Sequence, residues 1–207
     1  MSYPTDPHHG SYGDQGEYSY TGIPNPKVGI WAFIAMEGIF FGALLSTHFF
    51  HQYASANPID TQNLLDFPLA SFSTFVLLAC SLQMALAVNS MRGGNLKITR
   101  WLLLGAILFG ILFLGSQVYE TLHLVRTKAL TMGSDIFGST YHVLVGTLGA
   151  HVIIGVLWLL GWLVFSFTGN MTPDHWIDVE VAAHYWHFTN LVWVVIFLSV
   201  HLIRFAP

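Results

Sequence analysis

Five apolar runs, each long enough to cross about 30 Å of hydrocarbon as a helix of roughly 20 residues, occupy most of this 207-residue chain. They fall at about Val28–Gln52, Ser71–Met91, Thr99–Tyr119, Ser139–Phe167 and Val181–Arg204. Inside hydrocarbon every backbone polar group must be bonded within the chain, which leaves only helices and closed barrels. The alternation of a membrane barrel is missing. The expectation is therefore an all-α membrane protein, a bundle of five transmembrane helices over residues 28–207. Residues 1–27 form a loose N-terminal tail.

Charge supports this reading. Only 9% of residues are charged, against about 25% in a soluble domain, and a net charge of −4 points away from nucleic acid. Cys80 is the single cysteine, which excludes an internal disulfide and a cysteine-built metal site. The tail carries Asp6, Asp14 and Glu17 among Pro, Gly and Tyr. It lacks the basic region and apolar core of a signal peptide, and its composition would not fold unaided, so it is expected to be loose or laid against a partner. Lys27, Arg92, Lys97 and Arg100 fall on one side of a five-span bundle, and Arg126, Lys128 and Arg204 on the other. The tight loop MRGGNLKITR is the densest basic cluster, so the positive-inside rule makes that side and the N-terminus cytoplasmic.

Polar residues inside apolar runs carry the functional information. Glu37, in FIAMEGIFFG, lies about nine residues into the first run, roughly 14 Å deep at 1.5 Å per residue. An ionised carboxylate near mid-bilayer costs at least ~2.5 kcal/mol. The expected species is a neutral acid that donates a hydrogen bond, either as a packing residue or as a proton-linked group. At ~100° per residue, His48 and His51 share its helix face, and Gly38 and Gly42 form a GxxxG pair suited to close helix approach. In the last run, VEVAAHYWHFTNLVW, Glu180, His184 and His187 also share one face. That spacing suits either a metal or hydrogen bonding near the membrane surface, with Tyr185, Trp186 and Trp193 in or near the aromatic belt. A haem with two axial histidines needs both at one depth, and His151, the histidine nearest mid-span, has no second histidine there. Gln117 and Glu120, in SQVYETLH, read as a solvated helix end.

P-loop, nucleophile-elbow and HExxH motifs are absent, as are the paired broken helices of many transporters. The bundle is thus expected to serve a larger complex. A self-sufficient transporter or haem carrier is the alternative class, which a haem band in the visible spectrum would reveal.

Four stretches, in order, resemble subunit III of the haem-copper terminal oxidases, the cytochrome c oxidase group, in its short five-helix bacterial form. MEGIFFGALLSTHFF is similar to the family's first shared helix, placing its buried acid at Glu37 and a polar position at His48. GSQVYE resembles its Gln-x-x-Glu helix end, placing Gln117 and Glu120. GSTYHVLVGTLGAHVIIG resembles its Gly-Ser-Thr helix, placing His151. VEVAAHYWHFTNLVW resembles its final helix, placing Glu180, Trp186, His187, Asn190 and Trp193. Two positions depart from the pattern. Asn190 stands where an Asp is frequent, and Leu148 where many relatives have His.

The resemblance implies a non-redox subunit in aerobic respiration, in a bacterial inner membrane. Haem and copper would lie in partner subunits, with oxidase subunits I and II as partners and a respiratory supercomplex admitted. It implies bound phospholipid, for which Trp31, Phe33, Phe41 and Arg100 are the candidate contacts, and support of proton uptake and turnover stability, for which Glu37 is the candidate. The electron donor is expected to be cytochrome c. The alternative is the matching subunit of a quinol oxidase or nitric oxide reductase.

Overall fold

The computed structural model describes the backbone of residues 22–54, 66–133 and 136–202, and side chains at 22–51, 66–127, 129–133 and 136–200. Five helices are long and apolar enough to cross a membrane. They are α1 (Asn25–Ala54), α2 (Phe67–Arg92), α3 (Leu96–Lys128), α4 (Ile136–Phe167) and α5 (Trp176–Phe197). A 3-10 turn, Pro173–His175, leads into α5, and a π-turn, Leu198–Leu202, follows it. Residues 1–21 of the expected tail lie outside the described residues, and Asn25–Lys27 belong to the first turn of α1.

Local chemistry sets the helix ends. The Asp66 side chain accepts from Leu69 N at 3.2 Å and starts α2, with Pro68 in its first turn, where a missing N–H costs nothing. Gly94 at φ 74° turns the chain sharply at the other end, since only glycine enters that region freely. Asn95 then caps α3 by accepting from Ile98 N, so α2 and α3 form a tight antiparallel hairpin. Helix α3 runs nine residues past the expected end at Tyr119, because a mixed-polarity last turn up to Lys128 is compatible with a helix leaving the hydrocarbon. It closes at Ala129 in the left-handed region, φ 52°.

The helices pack unequally. In its most apolar stretch, α5 is 67% buried, against 11% for α1. Helix α5 touches α1, α2 and α4, whereas α1 rests on α4 and α5 alone among its substantial contacts. Core glycines explain the close approach around α5. A Cβ at Gly155 would stand 3.0 Å from the Trp186 ring, and one at Gly110 would stand 2.8 Å from Val156 and 3.0 Å from Trp186. The GxxxG pair behaves otherwise, because a Cβ at Gly38 or Gly42 would meet nothing within 4 Å. That pair brings no helix of this chain close. Tyr185, Trp186 and Trp193 are 3%, 2% and 0% exposed. They fill the core and are not belt residues, because the α5 face that carries them is the one turned inward.

Candidate functional site

Glu37 meets His151 at the middle of the bundle. Glu37 Oε2 lies 3.3 Å from His151 Nε2, with both side chains 14% exposed. Sequence reasoning sought a second histidine at the depth of His151 and overlooked that Glu37 occupies it. Counted from the same end of the bundle, Glu37 is 12 residues into α1 and His151 16 residues into α4. The site is walled by aromatic rings. Phe41 stands edge-on to His151 at 5.1 Å, and Phe33 tilts over Tyr185 at 5.9 Å. The Tyr185 hydroxyl donates to the His151 carbonyl at 2.8 Å and ties α5 to α4 there. Tyr185 was missed as a site residue because nothing in its spacing shows which way its hydroxyl points.

The hydrogen bonds fix the proton inventory. His151 Nδ1 lies 2.9 Å from the Thr147 carbonyl, an acceptor only, so Nδ1 carries a hydrogen. Nε2 is then either bare or protonated. Glu37 Oε2 is buried and otherwise lacks a hydrogen-bond partner among the described residues. One proton between Nε2 and Oε2 gives either a neutral acid beside a neutral imidazole or a carboxylate beside an imidazolium. Both arrangements are net neutral, but the second holds two opposite charges out of water, at a desolvation cost. The pair can therefore hold one proton and relocate it over a few ångströms without placing a net charge in the membrane.

Glu180 has a different environment at the basic end of the bundle. Its Oε1 accepts from Arg92 and its Oε2 forms an ion pair with Lys27 Nζ, each at 2.6 Å, and both cations lie against the Trp176 ring, at 5.0 and 4.3 Å. This cluster pins the feet of α1 and α2 to α5. The shared helix face of Glu180, His184 and His187 does not converge. His184 Nδ1 donates to the Glu180 carbonyl, while His187 bonds Ser81 on α2. No group of three or more potential metal-ligating side chains occurs among the described residues.

The remaining sequence candidates scatter over the fold. His48, 1% exposed, bonds Thr140 at 2.8 Å and links α1 to α4. Gln117 and Glu120 are 6% and 2% exposed, contrary to the solvated helix end expected. They lie on the buried stripe of α3 that continues Gly110 and Phe113. Asn190 is 7% exposed, and its Oδ1 has no hydrogen-bond partner among the described residues. Trp31 is 57% exposed, edge-on to His184 at 5.5 Å. Arg100 does not join the α1 aromatics. Its guanidinium donates to the Ser166 carbonyl and lies 5.5 Å from the Phe167 ring, which caps the end of α4.

Beside Phe41 runs an apolar groove of about 150 Å³, lined by Gly38, Gly42 and Leu45 of α1, Leu144 of α4, and Leu191 and Val195 of α5 among others. The open glycines of α1 thus form the wall of a groove.

Comparison with known proteins places these features in context. The family model for cytochrome c oxidase subunit III matches residues 12–204. The chain is 35% identical to a quinol oxidase subunit 3 of Bacillus spizizenii over 94% of its own length and 95% of the relative. It is 32% identical to a probable quinol oxidase subunit 3 of Staphylococcus saprophyticus, covering 86% and 88%. It is 32% identical to a cytochrome c oxidase subunit 3 of Bacillus subtilis, covering 86% of each.

Proposed function

The chain belongs to the cytochrome c oxidase subunit III family, and on that premise we propose that it supports proton supply and turnover stability in a haem-copper terminal oxidase without carrying a redox centre. The observation that carries the proton part is the 3.3 Å contact between Glu37 Oε2 and His151 Nε2, midway along α1 and α4. Giving up its proton leaves the pair with a net negative charge until another proton arrives, so it serves as a single relay point that is reloaded after each transfer, beside a partner that consumes protons. Haem and copper belong to the partner subunits I and II in this reading.

Lipid enters the proposal through the groove. Its lining is apolar and its floor runs along α1, α4 and α5, which suits acyl chains against Phe41. Trp31 and Phe33 extend the aromatic surface of α1 towards the basic end. Arg100 can still offer spare N–H groups to a headgroup, but from the α3–α4 side. The basic end is read as cytoplasmic on its excess of Lys and Arg, and the membrane as a bacterial inner membrane.

For the electron donor, a quinol is the reading supported by the relatives at 34% and 35% identity, both named quinol oxidase subunit 3. Cytochrome c is the second reading, favoured by the relative at 32%. Purifying the chain with its partners and assaying oxygen consumption with a quinol and with reduced cytochrome c decides between them. For the proton role, a Glu37→Gln complex is expected to assemble and start at normal rate, then lose activity over a different number of turnovers. An unchanged lifetime would remove Glu37 from the proton role.

A further inference from the structure

His187 sits at the midpoint of the Pro173–Val200 span, on a face of α5 that is open in this chain. Three other helical histidines satisfy one ring nitrogen locally. His142, His151 and His184 each place Nδ1 against the carbonyl four residues earlier. His187 instead crosses to α2, where its Nδ1 meets Ser81 Oγ. His48 also reaches another helix, but it is 1% exposed, whereas His187 is exposed.

The proton on each atom follows. Ser81 Oγ has no hydrogen-bond partner among the described residues other than His187 Nδ1; a hydroxyl that must place its hydrogen in hydrocarbon therefore donates to Nδ1, which puts the hydrogen of a neutral ring on Nε2. That N–H has no partner among the described residues, at a depth where hydrocarbon offers no acceptor. Serine and threonine hydroxyls on exposed helix faces elsewhere, such as Ser46 and Thr47, escape this problem by bonding their own helix carbonyls. An imidazole already held by a neighbouring helix has no such retreat. A lipid headgroup does not meet the need, since Nε2 lies about 16 Å along α5 from Trp176 at 1.5 Å per residue. What fits is another transmembrane helix.

We infer that the α2–α5 face centred on His187 is the surface on which a partner subunit docks, through a transmembrane helix that presents a hydrogen-bond acceptor to His187 Nε2 at mid-membrane. The surrounding surface suits that contact. Leu78, one turn from Ser81, and Leu191, one turn from His187, are 46% and 62% exposed and supply apolar contact around one polar bond. A single buried hydrogen bond in such a setting fixes register more than it adds affinity. The inference rests on the reading of this chain as an oxidase subunit, the partner then being the subunit that carries the redox centres.

The test uses the whole complex. A photoreactive benzoylphenylalanine is placed at Leu78 or Leu191, and in separate samples at Leu157 or Val164 of α4, which are 61% and 63% exposed. After irradiation of membranes, adducts to the co-purifying catalytic subunit are expected from the α2 and α5 positions and not from α4. In a second arm, His187→Phe should weaken retention of the chain on the complex during detergent washing by roughly three- to tenfold, and His187→Gln, which restores an N–H of similar reach, should recover most of it. Adducts to that subunit from α4 alone would overturn the inference. So would lipid adducts alone at Leu78, adducts to a second copy of this chain there, or equal retention of His187→Phe and the parent. If the unaltered chain fails to co-purify with any redox-bearing subunit, the oxidase reading itself falls, and the two failures are distinguishable.

Discussion

Glu37 on α1 and Glu180 on α5 have almost the same side-chain exposure, 14% and 15%, yet they meet opposite company. Glu180 is shared by two cations at 2.6 Å and an aromatic ring behind them. Glu37 faces one histidine at 3.3 Å, with no Lys or Arg in contact among the described residues. The difference teaches that exposure alone says little about an intramembrane acid. With two permanent cations, the Glu180 carboxylate has a single useful state and acts as a fastener. With one titratable partner, Glu37 has two states of equal net charge.

The widest gap should appear when each acid is removed. Glu180→Leu leaves Lys27 and Arg92 facing each other without their anion. Removing one partner of a fully buried pair costs about 3–5 kcal/mol, but Arg92 is 47% exposed and solvent screening lowers that, so about 2 kcal/mol is expected. Thermal unfolding of the purified complex, or loss of the chain during washing, measures it. A Glu180→Leu complex as stable as the parent would break the comparison.

Glycines separate the same two helices at the next scale. Gly155→Ala drives a methyl to 3.0 Å from Trp186 and 3.1 Å from Tyr185, and overpacking of this kind costs about 1–3 kcal/mol. Gly42→Ala on α1 enters open space and should be neutral within about 0.5 kcal/mol. Measuring both by the same unfolding assay sharpens the contrast. Equal costs would mean that α1 is packed in a way the open groove denies.

Smaller still is Tyr185→Phe. It deletes the hydrogen bond to the His151 carbonyl at a cost of about 1 kcal/mol, with a visible effect on the Glu37–His151 geometry by infrared spectroscopy of the carboxyl stretch. Glu37→Gln should change stability least, by about 0.5 kcal/mol or less, since a neutral amide replaces a group that is net neutral with its partner. Its signature is chemical. A hydrophobic carbodiimide, which attacks protonated carboxyls, should label Glu37 ahead of Glu180 and of exposed Asp174. Preferential labelling of Glu180 would reverse the assignment of states.

The apolar runs made the five helices legible in advance, because hydrocarbon imposes one solution on such segments. What they did not carry was direction around each helix axis. Gln117 and Glu120 looked like a wetted end because polarity near the end of an apolar run usually means water, and here the helix continues for two more turns and turns them inward. The Glu37–His151 pair was half legible, since each residue stood out but the acid was not set beside the imidazole as its partner. Lys27, placed in the tail, is the first-turn residue that holds Glu180. The aromatic residues of α5 were assigned to the membrane surface because Trp and Tyr favour it, while glycines on two other helices open the space that buries them.

The burial of α5 has a consequence for biogenesis. It follows the other four helices in the chain, and it supplies contacts to α1, α2 and α4 as well as the Glu180 anchor. During synthesis the α2–α3 hairpin can insert and close by itself, but the remainder waits with Lys27 and Arg92 uncompensated. The five helices described therefore close on one another only once α5 has been made. A nascent chain stalled before Glu180 would present unpaired cations and open glycine faces, features by which a membrane protease could tell an unfinished subunit from a finished one.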